Sequence, residues 1–140
     1  MRILGIDYGE RRIGLAVGDT EVGIANGLPT LERSSPAADA IEPLRRIARE
    51  QGAQRIVVGV PVNMNGTLGE RARAAMAFAQ RLRDALGIEV ETWDERLTSR
   101  QAERAMLEGD LSRSKRKERV DRLAAQLILQ SYLDAMGRRA

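Results

Sequence analysis

The sequence predicts an α/β fold built on a mixed five-stranded sheet, in which three antiparallel-type strands are followed by two parallel crossovers and helices flank the sheet. Two observations lead to this prediction. Near the amino terminus two apolar runs, Ile3 to Ile6 and Ile13 to Val17, are joined by a short polar turn that contains Gly9, as expected of a strand hairpin. Further along, β-branched runs alternate with stretches of helical periodicity, which is typical of crossover units. The 140 residues are expected to form a single domain.

Asp7 lies at the end of the first predicted strand. This strand is apolar on both faces, which indicates a position in the middle of the sheet. A carboxylate in this position is held by the most rigid part of the fold and faces the rim, where a ligand or a metal can reach it. The alternative is an Asx-turn aspartate that only fixes the hairpin. This stretch alone favours neither interpretation.

The next segments predict an edge strand and a helix. Residues 21–33 mix apolar side chains with glycines and one proline, which suits a third strand at the edge of the sheet. A helix is expected to begin between Pro36 and Glu42 and to end at Gly52.

Two crossover units follow. Residues 55–62 are a β-branched run typical of a buried parallel strand, and a long helix is expected from about Leu68 to Leu86, where Gly87 stops it. Residues 88–94 predict the fifth strand.

The remainder predicts two helices. Thr98 and Gln101 form a capping-box pattern that opens a helix ending near Gly109. Residues 110–119 are expected to be a polar, basic linker, and residues 120–136 have the periodicity of a final helix.

The absence of cysteine and histidine narrows the possible chemistry. Without cysteine there are no disulfides, thiolate zinc sites or cysteine nucleophiles. Without histidine there are no Ser-His-Asp triads, histidine general bases or histidine-ligated transition metals. A hydrolytic enzyme of this composition is left with carboxylates and a hard metal ion.

Charge and termini indicate the compartment and the partners. The formal net charge is +3 and arises mostly from arginine, which favours phosphate-bearing partners, although a basic surface without a polyanionic partner is the alternative. The chain begins directly in a strand pattern and contains no apolar run long enough to span a bilayer, so a cytoplasmic protein is expected.

Four ordered sequence blocks resemble a known family. The segments GIDYGERRIGLAV, GVPVNMNGT, DERLTS and KRKERVDRLAAQLILQSYLD are similar to the signature blocks of the YqgF/RuvX family, and they extend over essentially the whole chain. The resemblance implies an RNase H-like fold, kinship with Holliday junction resolvases and a metal-dependent endonuclease that matures pre-16S ribosomal RNA. A resolvase-like DNA nuclease is the alternative. The implied partner is nucleic acid, either pre-rRNA or branched DNA, with no membrane, and the chain is expected to be a monomer or weak homodimer.

The resemblance also implies a set of acidic residues. In RNase H-like nucleases, carboxylates from the first strand, the end of a later strand and the final helix converge on divalent metal. The corresponding residues are Asp7, the Asp94-Glu95 pair and Asp121, as ligands of Mg²⁺ or Mn²⁺. Strand parity does not decide between Asp94 and Glu95. Glu95 is favoured because its side chain has the longer reach, and Asp94 is the substitute. Crowded carboxylates repel one another, so a hard cation stabilises them, and two such ions can activate water and stabilise a leaving oxygen.

Asp121 has local support for this role. Ala124 and Ala125 follow it on the same helix, and such small residues would let the helix backbone approach the sheet and bring Asp121 within reach of Asp7. The alternative is an ordinary aspartate near a helix N-terminus, where the macrodipole favours it.

Candidate nucleic-acid contacts surround the acidic residues. Residues 59–67 lie between a strand and a helix, so their amides could hold a phosphate, with Asn63 and Asn65 as donors, unless Asn65 and Gly66 only form a turn. Arg96 is a further candidate. A basic run precedes Asp121 and is either a phosphate-binding segment or a solvated surface: Arg113, Lys115, Arg116, Lys117 and Arg119.

Two other classes of function stay open. The actin and sugar-kinase superfamily shares this type of fold, but it closes two such domains over ATP and this chain supplies one. A non-catalytic nucleic-acid-binding protein would leave the three acidic positions without a purpose. Aromatic residues are scarce, with one tryptophan, two tyrosines and one phenylalanine, so recognition by shape and backbone is expected rather than base stacking.

Overall fold

A computed structural model describes the backbone of residues 1–36, 38–97 and 113–139, and the side chains of residues 1–36, 38–96 and 122–137. Five strands form one sheet in the order β3-β2-β1-β4-β5. The strands are β1 (Arg2–Tyr8), β2 (Arg12–Asp19), β3 (Ala25–Glu32), β4 (Arg55–Val60) and β5 (Glu89–Asp94). Strands β1, β2 and β3 pair antiparallel, whereas β4 pairs parallel with both β1 and β5. The mixed sheet, the central position of β1 and the edge position of β3 are confirmed.

Three α-helices and one 3-10 turn are described beside the sheet. The helices are α1 (Ile41–Gln51), α2 (Glu70–Leu86) and α3 (Arg113–Arg139), and the 3-10 turn is Glu95–Leu97. Both α1 and α2 end at a glycine with left-handed backbone, Gly52 at φ 64° and Gly87 at φ 69°, as predicted. The helix predicted between Thr98 and Gly109 lies outside the described residues. No described helix is long and apolar enough to cross a membrane.

The prediction of a linker at residues 110–119 was wrong for residues 113–119. Helix α3 begins at Arg113, so the basic run forms its first turns. The prediction took polarity as a sign of a loop, but arginine, lysine and glutamate are good helix formers. Strand β4 also stops earlier than predicted, at Val60, because Pro61 has no amide hydrogen to continue the ladder.

Each face of the sheet has its own core. Helices α1 and α2 cover one face, where the core includes Leu4, Ile6, Leu44, Phe78 and Leu82. Helix α3 covers the other face, where the core includes Ile3, Val57, Ala125, Ile128 and Leu129.

Glycines in the sheet set the depth at which α3 packs. A Cβ added to Gly5 would lie 2.9 Å from Leu129 Cβ and 3.4 Å from the Ala125 carbonyl oxygen. A Cβ added to Gly59 would collide with the Ile128 side chain. The backbone of α3 therefore lies close to the centre of the sheet, in agreement with the small residues noted at its amino-terminal half.

Candidate active site at the carboxyl ends of β1 and β5

Asp7 and Glu95 meet above the sheet on the face covered by α3. Strands β1, β4 and β5 are parallel to one another, so their carboxyl ends share one edge of the sheet. Asp7 alternates with Ile3 and Gly5, which face α3. The Glu95 side chain lies over Gly59 on the same face, 3.0 Å from an added Cβ. The two carboxyl groups are joined by a hydrogen bond.

This hydrogen bond requires that one of the two carboxyl groups is protonated. The surroundings of Glu95 explain why Glu95 retains its proton. Burial is the largest cause that raises the pKa of Glu95, to about 8, and the negative charge of Asp7 is the next. The nearby Arg71 guanidinium acts in the opposite direction. At neutral pH the metal-free pair therefore shares a proton, which a divalent cation could replace.

Asp94 is directed elsewhere, although it is the neighbour of Glu95 in the chain. Its Oδ1 accepts a hydrogen bond from the Arg96 amide at 2.9 Å, and its Oδ2 accepts from Arg96 Nε at 2.8 Å and pairs with Nη2 at 2.7 Å. Burial acts to raise the pKa of Asp94, but the hydrogen bonds from Arg96 outweigh it and the pKa is lowered. Of the two acidic residues that the sequence left open, Glu95 lies against Asp7 and Asp94 belongs to an ion pair.

The backbone of Asp121 lies in α3, one turn before Ala125. Ala125 packs opposite Gly5, and further along the helix the Tyr132 hydroxyl accepts a hydrogen bond from Arg55, at the start of β4. The helix therefore runs from the carboxyl edge of the sheet, where Asp7 lies, towards the opposite edge. The Asp121 side chain is outside the described residues.

No group of three or more Asp, Glu, His or Cys side chains capable of holding a metal occurs within the described part of the chain. Among the described side chains, Asp7 and Glu95 are two carboxyl groups in direct contact.

The loop between β4 and α2 is a compact hydrogen-bonded turn. Asn63 Nδ2 donates to Thr67 Oγ1 at 3.0 Å, and Asn65 Oδ1 accepts from the Thr67 amide at 3.1 Å and from Thr67 Oγ1 at 2.6 Å. Gly66 has a φ of 86°, which a side chain would disfavour. The turn interpretation thus accounts for Asn65 and Gly66, and it fixes the loop beside the acidic pair.

Sequence reasoning missed Arg71. It lies in the first turn of α2, is exposed, and is close enough to lower the pKa of Glu95. Its position directly after the GVPVNMNGT block was the available signal, but α2 carries several arginines and nothing in its own sequence distinguishes this one.

The predicted basic contacts are only partly described. Arg96 is 37 % exposed and paired with Asp94. The other basic candidates have their backbones in the first two turns of α3, and their side chains lie outside the described residues: Arg113, Lys115, Arg116, Lys117 and Arg119.

Comparison with known proteins identifies relatives over the full chain. The family model of RuvX, described as Holliday junction resolvase, matches residues 1–135. A protein of Pelotomaculum thermopropionicum is 46% identical over 138 residues, which is 99% of this chain and 90% of the relative. A protein of Clostridium botulinum strain Hall is 48% identical over 138 residues, 99% of this chain and 100% of the relative. Both are named "Putative pre-16S rRNA nuclease".

Solved structures agree on the fold. Thermus thermophilus RuvC in complex with a Holliday junction substrate superposes with a TM-score of 0.56 at 18% identity, over 98% of this chain and 96% of RuvC. A second Thermus thermophilus RuvC structure gives a TM-score of 0.52 at 17% identity, over 98% and 97% of the two chains. RuvC has an RNase H-like fold, so the expected fold is confirmed.

Proposed function

Because the chain belongs to the RuvX family, we propose that it is a divalent-metal-dependent endonuclease that processes the 5′ end of pre-16S ribosomal RNA. The family and the names of its relatives support a nuclease, a hydrolase acting on ester bonds of nucleic acid. The observation that carries the metal-dependent part is the hydrogen-bonded pair of Asp7 and Glu95 at the carboxyl edge of the sheet. The proposal implies a cytoplasmic enzyme, since bacterial ribosomal precursors are processed there.

The donor set fits a hard cation. Two carboxyl groups in direct contact, one of them kept protonated by burial and by its neighbour's charge, form a site that gains from exchanging the proton for Mg²⁺ or Mn²⁺. Asp7 and Glu95 would hold the metal, with Asp121 as the proposed third ligand. Asp94 is the weaker candidate because Arg96 occupies both of its oxygens. When bound, the metal supplies positive charge that polarises the phosphodiester and stabilises the departing oxygen.

Cations beside the acidic pair would position the substrate. Arg71, in the first turn of α2, lies close enough to Glu95 for its charge to act on the pKa of that residue, and Arg96 follows Glu95 in the 3-10 turn. Arg96 uses Nε and Nη2 towards Asp94, which leaves Nη1 as a donor that faces Gly66 at 3.9 Å from an added Cβ. Guanidinium groups suit phosphate oxygens.

Two further sets of predicted contacts fit this arrangement. Asn63 and Asn65 hold the loop before α2, and the amino-terminal end of that helix favours an anion. The basic first turns of α3 precede Asp121, so a strand that reaches the acidic pair would pass near them.

Replacing Arg116 and Lys117 together by alanine tests the basic turns of α3. Each phosphate contact that is lost should reduce the slope of log K against log salt by about 0.7–0.9, and turnover at saturating substrate should change little, because these residues position the strand. Binding is measured at several salt concentrations for RNA and for DNA. An unchanged slope and affinity would mean that the run is a solvated surface.

The substrate and the metal are tested together. Labelled RNA carrying the 5′ precursor of 16S rRNA and a four-way DNA junction are each incubated with the protein in Mg²⁺, Mn²⁺ or EDTA. We expect cleavage of the RNA with metal, none in EDTA, and recovery on adding metal back. Preferential cutting of the junction would instead support branched DNA, the substrate that the family description names. Full activity in EDTA would overturn the metal-dependent mechanism.

A further inference from the structure

A surface cavity of about 380 Å³ opens at the carboxyl end of β5 and is not used by the chemistry described above. Among the described residues it is lined by Met64, Trp93, Asp94 and Arg96. Its volume lies within the range of about 300–1,000 Å³ found for small-ligand sites. Asp94 and Arg96, which line it, are the neighbours of Glu95 in the chain.

Trp93 is held in a fixed orientation at this cavity. Its indole Nε1 donates a hydrogen bond to Ser131 Oγ at 3.0 Å, and its ring meets Tyr132 edge to face at 5.3 Å between centroids. Both partners lie on α3, so the packing of that helix fixes the ring before any ligand arrives. A ring fixed in this way loses little conformational entropy when a flat ligand stacks on it.

Met64 adds an apolar side chain to the lining of the same cavity. It is 76% exposed, the largest value among the exposed large hydrophobic residues that the structure describes. The loop that carries it is closed by the hydrogen bonds of Asn63, Asn65 and Thr67, so Met64 is held out into solvent by a rigid turn. A flexible, polarizable thioether adapts to the face of an aromatic ligand.

The polar part of the lining suits the edge of a nucleobase and its phosphate. The Asp94 and Arg96 ion pair brings a carboxylate acceptor and a guanidinium donor to the same wall, and a nucleobase edge carries both donors and acceptors. Arg96 can also contact the attached phosphate. The Trp93 ring, the apolar Met64 side chain and the paired acceptor and donor of Asp94 and Arg96 together match a planar heterocycle that bears a phosphate.

We propose that this cavity takes one unpaired nucleobase of the substrate strand, stacked on Trp93 and covered by Met64, next to the phosphate that is cut. The inference rests on the proposed nuclease function and adds to it a preference for an unpaired nucleotide at the cleavage site. It departs from the expectation, based on the scarcity of aromatic residues, that base stacking plays no leading part. One well-placed aromatic ring is sufficient for one base.

Trp93 is the single tryptophan of the chain, so its fluorescence reports on the cavity directly. Three RNA hairpins are titrated into the full-length protein in EDTA: one with a single-nucleotide bulge, one with an abasic residue at the bulge, and one fully paired. We expect the bulged hairpin to quench the emission and to bind about tenfold more tightly than the abasic one, which is the order of one stacked base. Equal affinity and unchanged emission for all three hairpins would overturn the proposal.

Met64→Ala tests the cover without disturbing the core. We expect it to weaken binding of the bulged hairpin several-fold, to leave the abasic hairpin unaffected, and to raise KM for a bulged substrate without changing kcat. Met76→Ala is the matched control, because Met76 is also an exposed methionine, at 43%, but lies on α2 outside the cavity lining. Equal effects of the two variants would contradict the proposal.

Failure of this inference is distinguishable from failure of the proposed function. If RNA is cleaved in Mn²⁺ but all three hairpins bind alike, only the nucleobase site is wrong. If the bulged hairpin is selected and quenches Trp93 but no cleavage occurs with any metal, the nuclease proposal is wrong and the nucleobase site stands.

Discussion

One face of the sheet is packed for stability, whereas the other face carries the candidate site. The face covered by α1 and α2 is filled by large, fully buried side chains, including Leu4, Leu44 and Phe78. On the face covered by α3, glycines take the place of large residues at the centre of the sheet, and Asp7 and Glu95 stand at its rim. A thick apolar layer keeps a helix at a distance, whereas a glycine-lined face lets its backbone approach.

This difference explains why the acidic pair lies where it does. A helix that packs deeply can bring its own residues close to the end of the central strand, and burial at this rim raises the pKa of Glu95. We therefore expect substitutions on the two faces to separate activity from stability.

Asp7→Asn should have the largest effect, and on activity alone. Removing one carboxylate of the pair should lower the cleavage rate by about 10²–10³-fold or more, with no loss of thermal stability in the absence of metal, because the asparagine oxygen can still accept the hydrogen bond from protonated Glu95. Cleavage assays and thermal unfolding measure the two quantities. Asp84→Asn is the matched control, since Asp84 is on the exposed side of α2 and accepts only from Gln80 there. A full loss of folding in Asp7→Asn would indicate the Asx-turn role instead.

Leu44→Ala should show the opposite pattern. Leu44 is fully buried in the α1 and α2 core, so its truncation should lower the free energy of unfolding by about 2–5 kcal/mol. Activity per folded molecule should stay near that of the original protein, because Leu44 and the acidic pair lie on opposite faces of the sheet. Urea denaturation together with cleavage assays checks it. If specific activity fell by more than the loss of folded protein, the separation of stability and activity between the two faces would be contradicted.

Substitutions at two glycines on the α3 face should differ in their effect on the cleavage rate. A Cβ at Gly59 would meet Ile128 and approach the Glu95 side chain, whereas a Cβ at Gly18 would meet Leu133, at the other end of the helix contact. We expect Gly59→Ala and Gly18→Ala each to cost about 1–3 kcal/mol of stability through overpacking. Only Gly59→Ala should also reduce the rate beyond this loss. Similar rates for both variants would mean that the depth of α3 does not control the acidic pair.

The pH dependence of the metal-free protein tests the proton that Glu95 retains. Because the pKa of Glu95 is raised from its ordinary value of 4.5 to about 8, the folded state binds more protons than the unfolded state between these values. Its contribution to stability is complete below about pH 4.5 and is lost as the pH rises towards 8. Glu95→Gln should flatten this slope, since a neutral amide replaces the protonated acid. Unfolding measured at several pH values in EDTA tests it, and an unchanged slope in the variant would assign the dependence to another group.

Much of the fold was accessible from the sequence, because strands and helix ends are local events. The hairpin, the central and edge positions of the strands, and the glycine stops of α1 and α2 follow from periodicity and turn chemistry over a few residues. The composition also restricted the chemistry, since a chain without histidine and cysteine is left with carboxylates. The error at residues 113–119 has the same origin: a charged run is locally compatible with both a helix and a loop, and packing decides between them.

The pairing of Asp7 with Glu95 was decided only by the tertiary structure. Residues 94 and 95 are adjacent and both acidic, and nothing local shows that one faces the central strand while Arg96 holds the other. The answer depends on which strand ends share an edge and on which face each side chain leaves the sheet. The proximity of Arg71 and the cavity between Met64 and Trp93 depend in the same way on segments far apart in the chain. Local periodicity determines the elements, whereas contacts between distant residues determine the distances and charges of a site.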